Sequence, residues 1–253
     1  MLTLLQFPRL SGRADLVHGA TERGGGASSG PYASLNLGRS TGDDPAAVDE
    51  NARRLAAAID PPARVRFPRQ VHGRSVVVLE DHPAGDLPAA DAVATGRVGA
   101  PVGVLGADCP GVLLVDPVRR ALAVAHSGRF GTVLGVVPAA IETLVRRFHS
   151  RPADLIVGIG PGISGPCYEV GPEVADAFTA GFPRAAECLV RGAGDRSYLD
   201  LARAIAIQLE DAGVPSANVE TMPLCTFREK GRFFSHRRDG PRTGRHALVA
   251  MWR

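Results

Sequence analysis

The sequence predicts an α+β fold: a single domain in which a mixed β-sheet is flanked by helices. Short β-rich runs, separated by Pro, Gly and Asp, alternate along the chain with segments of helical character. No linker, internal repeat or low-complexity boundary divides the chain. With 253 residues, 45% of them hydrophobic and 22% charged, the chain can bury a core of ordinary size. We therefore expect one domain over residues 1–253.

The clearest predicted helix begins at Asp44. Asp44 is a good N-cap, Pro45 suits the first helical position, and strong helix formers continue to about Ile59. Further helices are predicted at 131–149, 171–182 and 199–212.

Eleven short β-rich runs are predicted as strands. In chain order they are LVHGA, RVRF, SVVVLE, DAVAT, VGVLG, GVLLVD, ALAVAH, DLIVGIG, NVETM, RFFSH and ALVAMW.

The most informative segment is a predicted hairpin between GVLLVD and ALAVAH, because it brings a cysteine near a histidine. A turn centred between Pro117 and Val118 places Cys109 opposite His126 on one face of the sheet. A thiolate and an imidazole so placed can share a metal ion or act as nucleophile and base. The residues alone also allow a small buried Cys109 and a His126 that merely ends a strand.

His72, between two β-like runs and before a glycine, is the third candidate. With Cys109 and His126 it gives three ligands, the number typical of a catalytic zinc site with one open position. Spacing alone equally permits a solvent-exposed loop histidine.

Composition argues against several classes of function. The net charge is only +3, and the 29 basic residues, which include a single lysine, are interspersed with acids, so we expect no nucleic-acid partner. The chain shows no signal peptide and no apolar run of membrane-spanning length, which predicts a cytoplasmic protein without membrane contact. Seven histidines without an HxH pair do not suffice for a multicopper centre.

Eight motifs then occur in a characteristic order. They are GASSGPYASLNLG, GDDPAAVDENARRL, QVHG, ADAVAT, GADC, AVAHSG, IGPGISGPCYEVG and FFSHRRDGPRTGRHALVAMW. From about Arg23 to Trp252 the chain resembles the YfiH-like laccase-domain family, formerly called multicopper polyphenol oxidases.

The resemblance implies an α+β fold and a zinc ion held by His72, Cys109 and His126. It also implies a purine nucleoside phosphorylase that acts on adenosine, inosine or methylthioadenosine with phosphate, and that can deaminate adenosine. One branch of the family is described as a peptidoglycan editing factor. The chain departs from the common AHAGWRG pattern, reading AHSGRFG, which puts an arginine at Arg129.

Candidate residues for the chemistry follow from these motifs. Asp108 is the carboxylate nearest Cys109 and is the expected proton shuttle, and arginine suits phosphate because its planar fork matches the phosphate oxygens. We expect catalytic roles for Asp108 and Arg238, and substrate binding by Arg23, Asn36, Arg129 and Arg237.

Two other functions stay open from the sequence. One is a zinc-dependent amidase that edits peptidoglycan precursors, and the other is a metal-stabilised binding protein without turnover. In each case we expect a small-molecule ligand and no obligate protein partner.

Overall fold

The computed structural model describes residues 2–59 and 63–253. Its α-helices are α1 (Pro8–Ser11), α2 (Pro45–Ala58), α3 (Arg129–Leu134), α4 (Val136–Phe148), α5 (Pro172–Gly181), α6 (Leu201–Asp211) and α7 (His236–Asp239). Its strands are β1 (Leu16–Ala20), β2 (Val76–Val78), β3 (Ala92–Thr95), β4 (Val102–Gly106), β5 (Gly111–Asp116), β6 (Ala121–His126), β7 (Ile156–Ile159), β8 (Glu169–Val170), β9 (Leu189–Arg191), β10 (Ser197–Leu199), β11 (Val219–Thr221) and β12 (His246–Trp252).

The largest sheet has six strands in the order β11-β7-β5-β6-β3-β2. Its two outer pairs, β11 with β7 and β2 with β3, are parallel, whereas the central pairs are antiparallel. A second sheet of three antiparallel strands has the order β1-β12-β4. The predicted α+β fold with a mixed sheet is confirmed.

Both faces of the six-stranded sheet are buried, which explains the nearly continuous apolar run of β5. Leu113 packs toward Leu248 and Trp252 of the second sheet. Its neighbour Leu114 points to the opposite face, where α4 and α6 cover the sheet. No helix in the described ranges is long and apolar enough to cross a membrane.

The predicted hairpin of β5 and β6 forms, but its predicted register is wrong by two residues. His126 lies opposite Gly111, not opposite Cys109. The turn is longer than expected because the Asp116 carboxylate accepts hydrogen bonds from the backbone N–H groups of Val118 and Arg119. Since side chains alternate with a period of two, a shift of two residues leaves every side chain on its predicted face.

The other predicted elements have mixed outcomes. The helix from Pro45 is confirmed, with the Asp44 carboxylate accepting from the Ala46 N–H. The helix predicted at 131–149 is two helices, because Gly135 takes a left-handed φ of 80°. The strand predicted at RFFSH is wrong. Ser235 there caps α7, and Phe233 is fully buried without strand pairing.

Candidate metal centre and its cleft

A single buried carboxylate, Asp91, organises the predicted metal site. Asp91 stands just before β3, and its Oδ1 lies 2.9 Å from Nδ1 of His126 at the end of β6. Because a carboxylate only accepts, this contact places the proton on Nδ1 and leaves Nε2 of His126 as the ligand atom. The backbone N–H of His126 also donates to the Asp91 carbonyl, at 2.7 Å.

The same carboxylate fixes the loop that carries His72. It accepts hydrogen bonds from the backbone N–H groups of Val71, His72 and Gly73 at 3.1, 3.0 and 2.7 Å. These bonds hold His72 in the left-handed region, with φ of 59°, and its side chain is exposed. The two candidate histidine ligands, which are far apart in sequence, are therefore positioned by one residue.

Cys109 lies in the turn that joins β4 to β5. The turn is tight, since Asp108 before it takes a φ of 93°. Gly128 leaves the space beside the thiol, because a Cβ atom there would lie 2.5 Å from Cys109 Sγ and 3.6 Å from the His72 ring. A glycine at this position is thus needed for the sulfur to reach both histidines.

The three side chains form a cluster whose ligand atoms all lie within 4.8 Å of one another. Two imidazoles and a thiolate are a donor set that zinc accepts, with bonds of about 2.0–2.3 Å, so ligands of one ion lie up to about 4.6 Å apart. The His72 and His126 rings meet edge to face, with centroids 5.0 Å apart. His72, Cys109 and His126 therefore fit a metal ion of this kind with little rearrangement.

The electrostatics of the cluster favour a thiolate. Burial raises the pKa of Cys109, but the charge of His126 and hydrogen bonds from His126 and His72 outweigh it and bring the pKa to about 6. Burial lowers the pKa of His126, and the Cys109 thiolate and Asp91 reverse this, raising it to about 9. Burial likewise raises the pKa of Asp91, yet its bonds to His126, Gly73 and Val71 leave it below the usual value, so Asp91 is ionised.

A cleft of about 1070 Å³ opens in front of the cluster. It is large enough for a small organic ligand, for which pockets of about 300–1000 Å³ are usual. Its lining residues that concern the chemistry are His72, Asp108, Cys109, His126, Arg129, Tyr168, His236, Arg237 and Arg245.

Two of the predicted substrate-binding arginines, Arg129 and Arg237, line this cleft together with Tyr168. The guanidinium of Arg237 lies 4.8 Å from the centre of the Tyr168 ring, and that of Arg129 lies 4.0 Å from the Phe130 ring. Burial and the negative charge of Cys109 raise the pKa of Tyr168, while Arg129 and Arg237 act in the opposite sense. Both arginines and the cluster residue Cys109 therefore act on the pKa of the same tyrosine.

The structure places Arg238 and Arg23 outside the cleft lining and in contact with backbone carbonyls. Arg238 donates to the carbonyls of Thr226, Phe227 and Phe233 and to both oxygens of Asp239. Each N–H of its guanidinium is taken up by the protein, so none is left for a substrate.

Arg23 has a comparable position. Its guanidinium donates to the carbonyls of Ala33 and Lys230 and lies 4.6 Å from the centre of the Phe234 ring. These contacts join the loop after β1 to the segment before α7.

Asn36 is fully buried and also outside the cleft lining. Its amide donates to Thr41 and Asp43, and its Oδ1 accepts from the N–H groups of Gly38 and Arg245. The arrangement connects the SLNLG motif to the residue that precedes β12 and does not present Asn36 to a substrate.

Asp108 does line the cleft, but both of its carboxylate oxygens are engaged. Oδ1 accepts from the Thr226 hydroxyl at 2.6 Å, and Oδ2 accepts from the backbone N–H of Arg237 at 2.7 Å. The carboxylate thereby joins the Cys109 turn to the first turn of α7.

Three residues of the site were not predicted from the sequence: Asp91, Tyr168 and Arg245. Asp91 had one available signal, because an acidic residue directly before the buried strand AVAT must find hydrogen-bond donors. For Arg245 the sequence contains no signal that distinguishes it from the other arginines.

Comparison with known proteins agrees with this geometry. The family model described as multi-copper polyphenol oxidoreductase laccase matches residues 17–253. A Streptomyces coelicolor protein named purine nucleoside phosphorylase is 45% identical over 245 residues, which cover 93% of this chain and 97% of that protein. A Geobacillus stearothermophilus protein, purine nucleoside phosphorylase YlmD, is 35% identical over 242 residues, covering 92% of this chain and 88% of that one.

Solved structures of two relatives have the same fold. The crystal structure of YlmD from Geobacillus stearothermophilus has a TM-score of 0.88 at 34% identity, covering 95% of this chain and 93% of that chain. The crystal structure of the Bacillus licheniformis protein YfiH has a TM-score of 0.88 at 30% identity, covering 94% and 93%.

Proposed function

Since the chain belongs to the family described as multi-copper polyphenol oxidoreductase laccase, and relatives of high coverage are named purine nucleoside phosphorylase, we propose that it is a zinc-dependent purine nucleoside phosphorylase. Its substrates are adenosine, inosine or methylthioadenosine together with phosphate. The products are the free base and the sugar 1-phosphate.

The observation that carries this proposal is the combination of a metal-ligating cluster and unpaired cations in one cleft. His72, Cys109 and His126 line it, and so do Arg129 and Arg237. The arginines suit an anionic reactant such as phosphate, and the cluster would hold a Lewis acid in the same cleft to act on the nucleoside.

Zinc is the metal we assign to the cluster, on the basis of its nitrogen and sulfur donors. His72, Cys109 and His126 would hold it, and Asp91 would keep both histidines in place. When bound, zinc supplies Lewis acidity, which polarises a substrate oxygen or lowers the pKa of a water molecule toward ~7.

The arginines supply the second requirement. In phosphorolysis a phosphate oxygen forms a bond to C1′ of the sugar, while the bond from C1′ to the base breaks and its electron pair leaves with the purine. Arg129 and Arg237 can orient the phosphate by charge-assisted hydrogen bonds. The guanidinium of Arg237 lies 4.8 Å from the centre of the Tyr168 ring, which also lines the cleft.

For Asp108 we propose a positioning role. Its carboxylate holds the Arg237 backbone and the Thr226 hydroxyl, and through its place in the Cys109 turn it couples the metal ligand to the arginine side of the cleft. Proton transfer by Asp108 would require one of these bonds to break.

The proposal is tested with the zinc-loaded protein and a panel of adenosine, inosine and methylthioadenosine, with and without inorganic phosphate. We expect free base to appear only with phosphate, and base release at equal rates without phosphate would contradict phosphorolysis. Ammonia and inosine from adenosine would add deamination at the same cleft.

The alternatives give different results in the same experiment. An amidase would leave every nucleoside intact and release an amine from a peptidoglycan precursor. A binding protein would change none of the substrates, although it would keep its metal.

A further inference from the structure

Arg245 is a half-buried cation of the cleft that the sequence motifs did not single out. It directly precedes β12, where His246 pairs with Gly106 of β4, three residues before Cys109. Strand pairing therefore brings Arg245 to the lining of the cleft, which it shares with Cys109 and Arg237.

The side chain is held in place from several sides. Its backbone N–H donates to Asn36 Oδ1, and Nη1 donates to the carbonyls of Thr243 and Gly244, all at 2.9 Å. The stem packs against Gly38, where a Cβ atom would lie 2.8 Å from Arg245 Cγ. Holding a long side chain in this way lowers the entropy that is lost when a ligand binds.

The charge of Arg245 is not neutralised by an ion pair within residues 2–59 and 63–253. The groups whose negative charge raises its pKa are Cys109, Asp108 and Tyr32, and each acts without a hydrogen bond. The Asp108 oxygens are engaged by Thr226 and Arg237, and Cys109 is a metal ligand in the proposed function. Burial lowers the pKa of the guanidinium, in keeping with the cost of a buried charge that lacks a partner.

Arg39 and Arg238, unlike Arg245, have carboxylate partners. Arg39, which also lines the cleft, pairs with the carboxylate of Asp49 on the exposed surface. Arg238 pairs with Asp239 and fills its remaining donors with carbonyls. Arg245 is half-buried, is held in a fixed position and has no carboxylate partner among the described residues, which is the state expected of a residue whose counterion is a ligand.

We propose that Arg245 is an anion-binding residue of this cleft and that it binds inorganic phosphate together with Arg129 and Arg237. The identity of the anion rests on the proposed function, whereas the existence of an anion site rests on Arg245 itself. A guanidinium with free N–H groups suits phosphate, because two parallel hydrogen bonds to its oxygens can form.

The test is calorimetric titration of inorganic phosphate into the zinc-loaded protein at constant ionic strength, without nucleoside. We compare wild type with Arg245→Met, which keeps the length of the side chain and removes the charge, and with Arg245→Lys, which keeps the charge and removes the fork. Arg39→Met is the matched control, since it removes one positive charge from the same cleft.

We expect Arg245→Met to weaken phosphate binding by about 10- to 100-fold. Arg245→Lys should weaken it by about 5-fold or more. Arg39→Met should stay within about 2-fold of wild type, since its charge is paired and exposed. Equal phosphate affinity in wild type and in a folded Arg245→Met protein would overturn the inference, as would wild type that binds no phosphate.

Thermal unfolding of each variant shows whether it is folded. If Arg245→Met fails to fold, Arg245→Lys decides, and an unchanged phosphate affinity in that variant overturns the inference.

The experiment separates this inference from the proposed function. Phosphate binding that depends on Arg245 in a protein that does not cleave nucleosides would support the anion site and reject the phosphorylase. Phosphorolysis with an unchanged KM for phosphate in Arg245→Met would support the phosphorylase and reject the role of Arg245.

Discussion

The two sides of the cleft differ in how completely the protein satisfies its own polar groups. On the metal side, Asp91 accepts four hydrogen bonds from His126 and the His72 loop, so the two histidine ligands are positioned before any metal binds. On the arginine side, Arg129 and Arg245 keep charges that no carboxylate of the described residues neutralises in an ion pair. The first side suits a resident ion, and the second suits a charged ligand that enters and leaves.

The largest effect is expected from removing the thiolate. Cys109→Ala should lose the bound metal and about 10³-fold or more of the phosphorolysis rate, since a metal ion contributes several kcal/mol to transition-state stabilisation. Metal analysis and rate measurement on the purified variant check this.

Cys188→Ala is the matched control, because Cys188 is buried but belongs to no ligand cluster. Full activity of Cys109→Ala would show that the metal side is structural only.

The next effect concerns the residue that fixes the metal side. Asp91→Asn should weaken metal affinity by about 10- to 100-fold, because the amide carries no charge and has one acceptor oxygen where the carboxylate uses two to hold the His126 ring and the His72 loop. Competition with a chelating dye measures the affinity.

Asp116→Asn provides the comparison at the other end of the hairpin. Asp116 is equally buried and also accepts two backbone N–H groups, so its replacement should lower the free energy of unfolding by about 1–3 kcal/mol and leave metal affinity unchanged. Equal metal affinity in both variants would remove the role assigned to Asp91.

On the arginine side, two neighbours in sequence should behave differently. Arg237→Met should raise the KM for phosphate by about 10-fold with little change in stability, because its guanidinium lines the cleft and its hydrogen bond to the Glu169 carbonyl is exposed to solvent. Arg238→Met should lower the free energy of unfolding by about 1–3 kcal/mol and leave that KM unchanged, because its donors hold three carbonyls. If Arg238 has the catalytic role predicted from the sequence, Arg238→Met will instead lower kcat.

The last prediction removes no side chain and concerns the pH dependence of metal binding. Without metal, the pKa of Cys109 is about 6 and that of His126 about 9, so between these values the thiol is already ionised while the imidazole carries a proton. Metal binding must displace that proton, and metal affinity should rise about 10-fold per pH unit over this range. Calorimetry in buffers of different ionisation enthalpy should detect the release of one proton from His126, and no release would contradict the assigned charges.

Much of the fold was predictable because periodicity and capping are local signals. Strands β4, β5, β6 and β12 and the helix begun by Asp44 follow directly from such signals. The register of the hairpin was not predictable. The side-chain hydrogen bonds of Asp116 lengthen the turn, and the pattern of apolar residues carries no signal for them.

The site was predictable to the same degree. The sequence brought Cys109 and His126 to one face of a hairpin, and only family resemblance selected His72. Asp91 and Arg245 depend on contacts between distant segments, such as the pairing of β12 with β4, and these contacts have no local signature.

The most direct test of a metal centre and an anion site acting together is phosphorus NMR of inosine with inorganic phosphate. Metal-free protein, the same protein reloaded with one equivalent of zinc, and Cys109→Ala are compared. We expect ribose 1-phosphate to form with the reloaded protein and not with the other two. Ribose 1-phosphate from all three samples at equal rates, or hypoxanthine with free ribose and no phosphate ester, would contradict it.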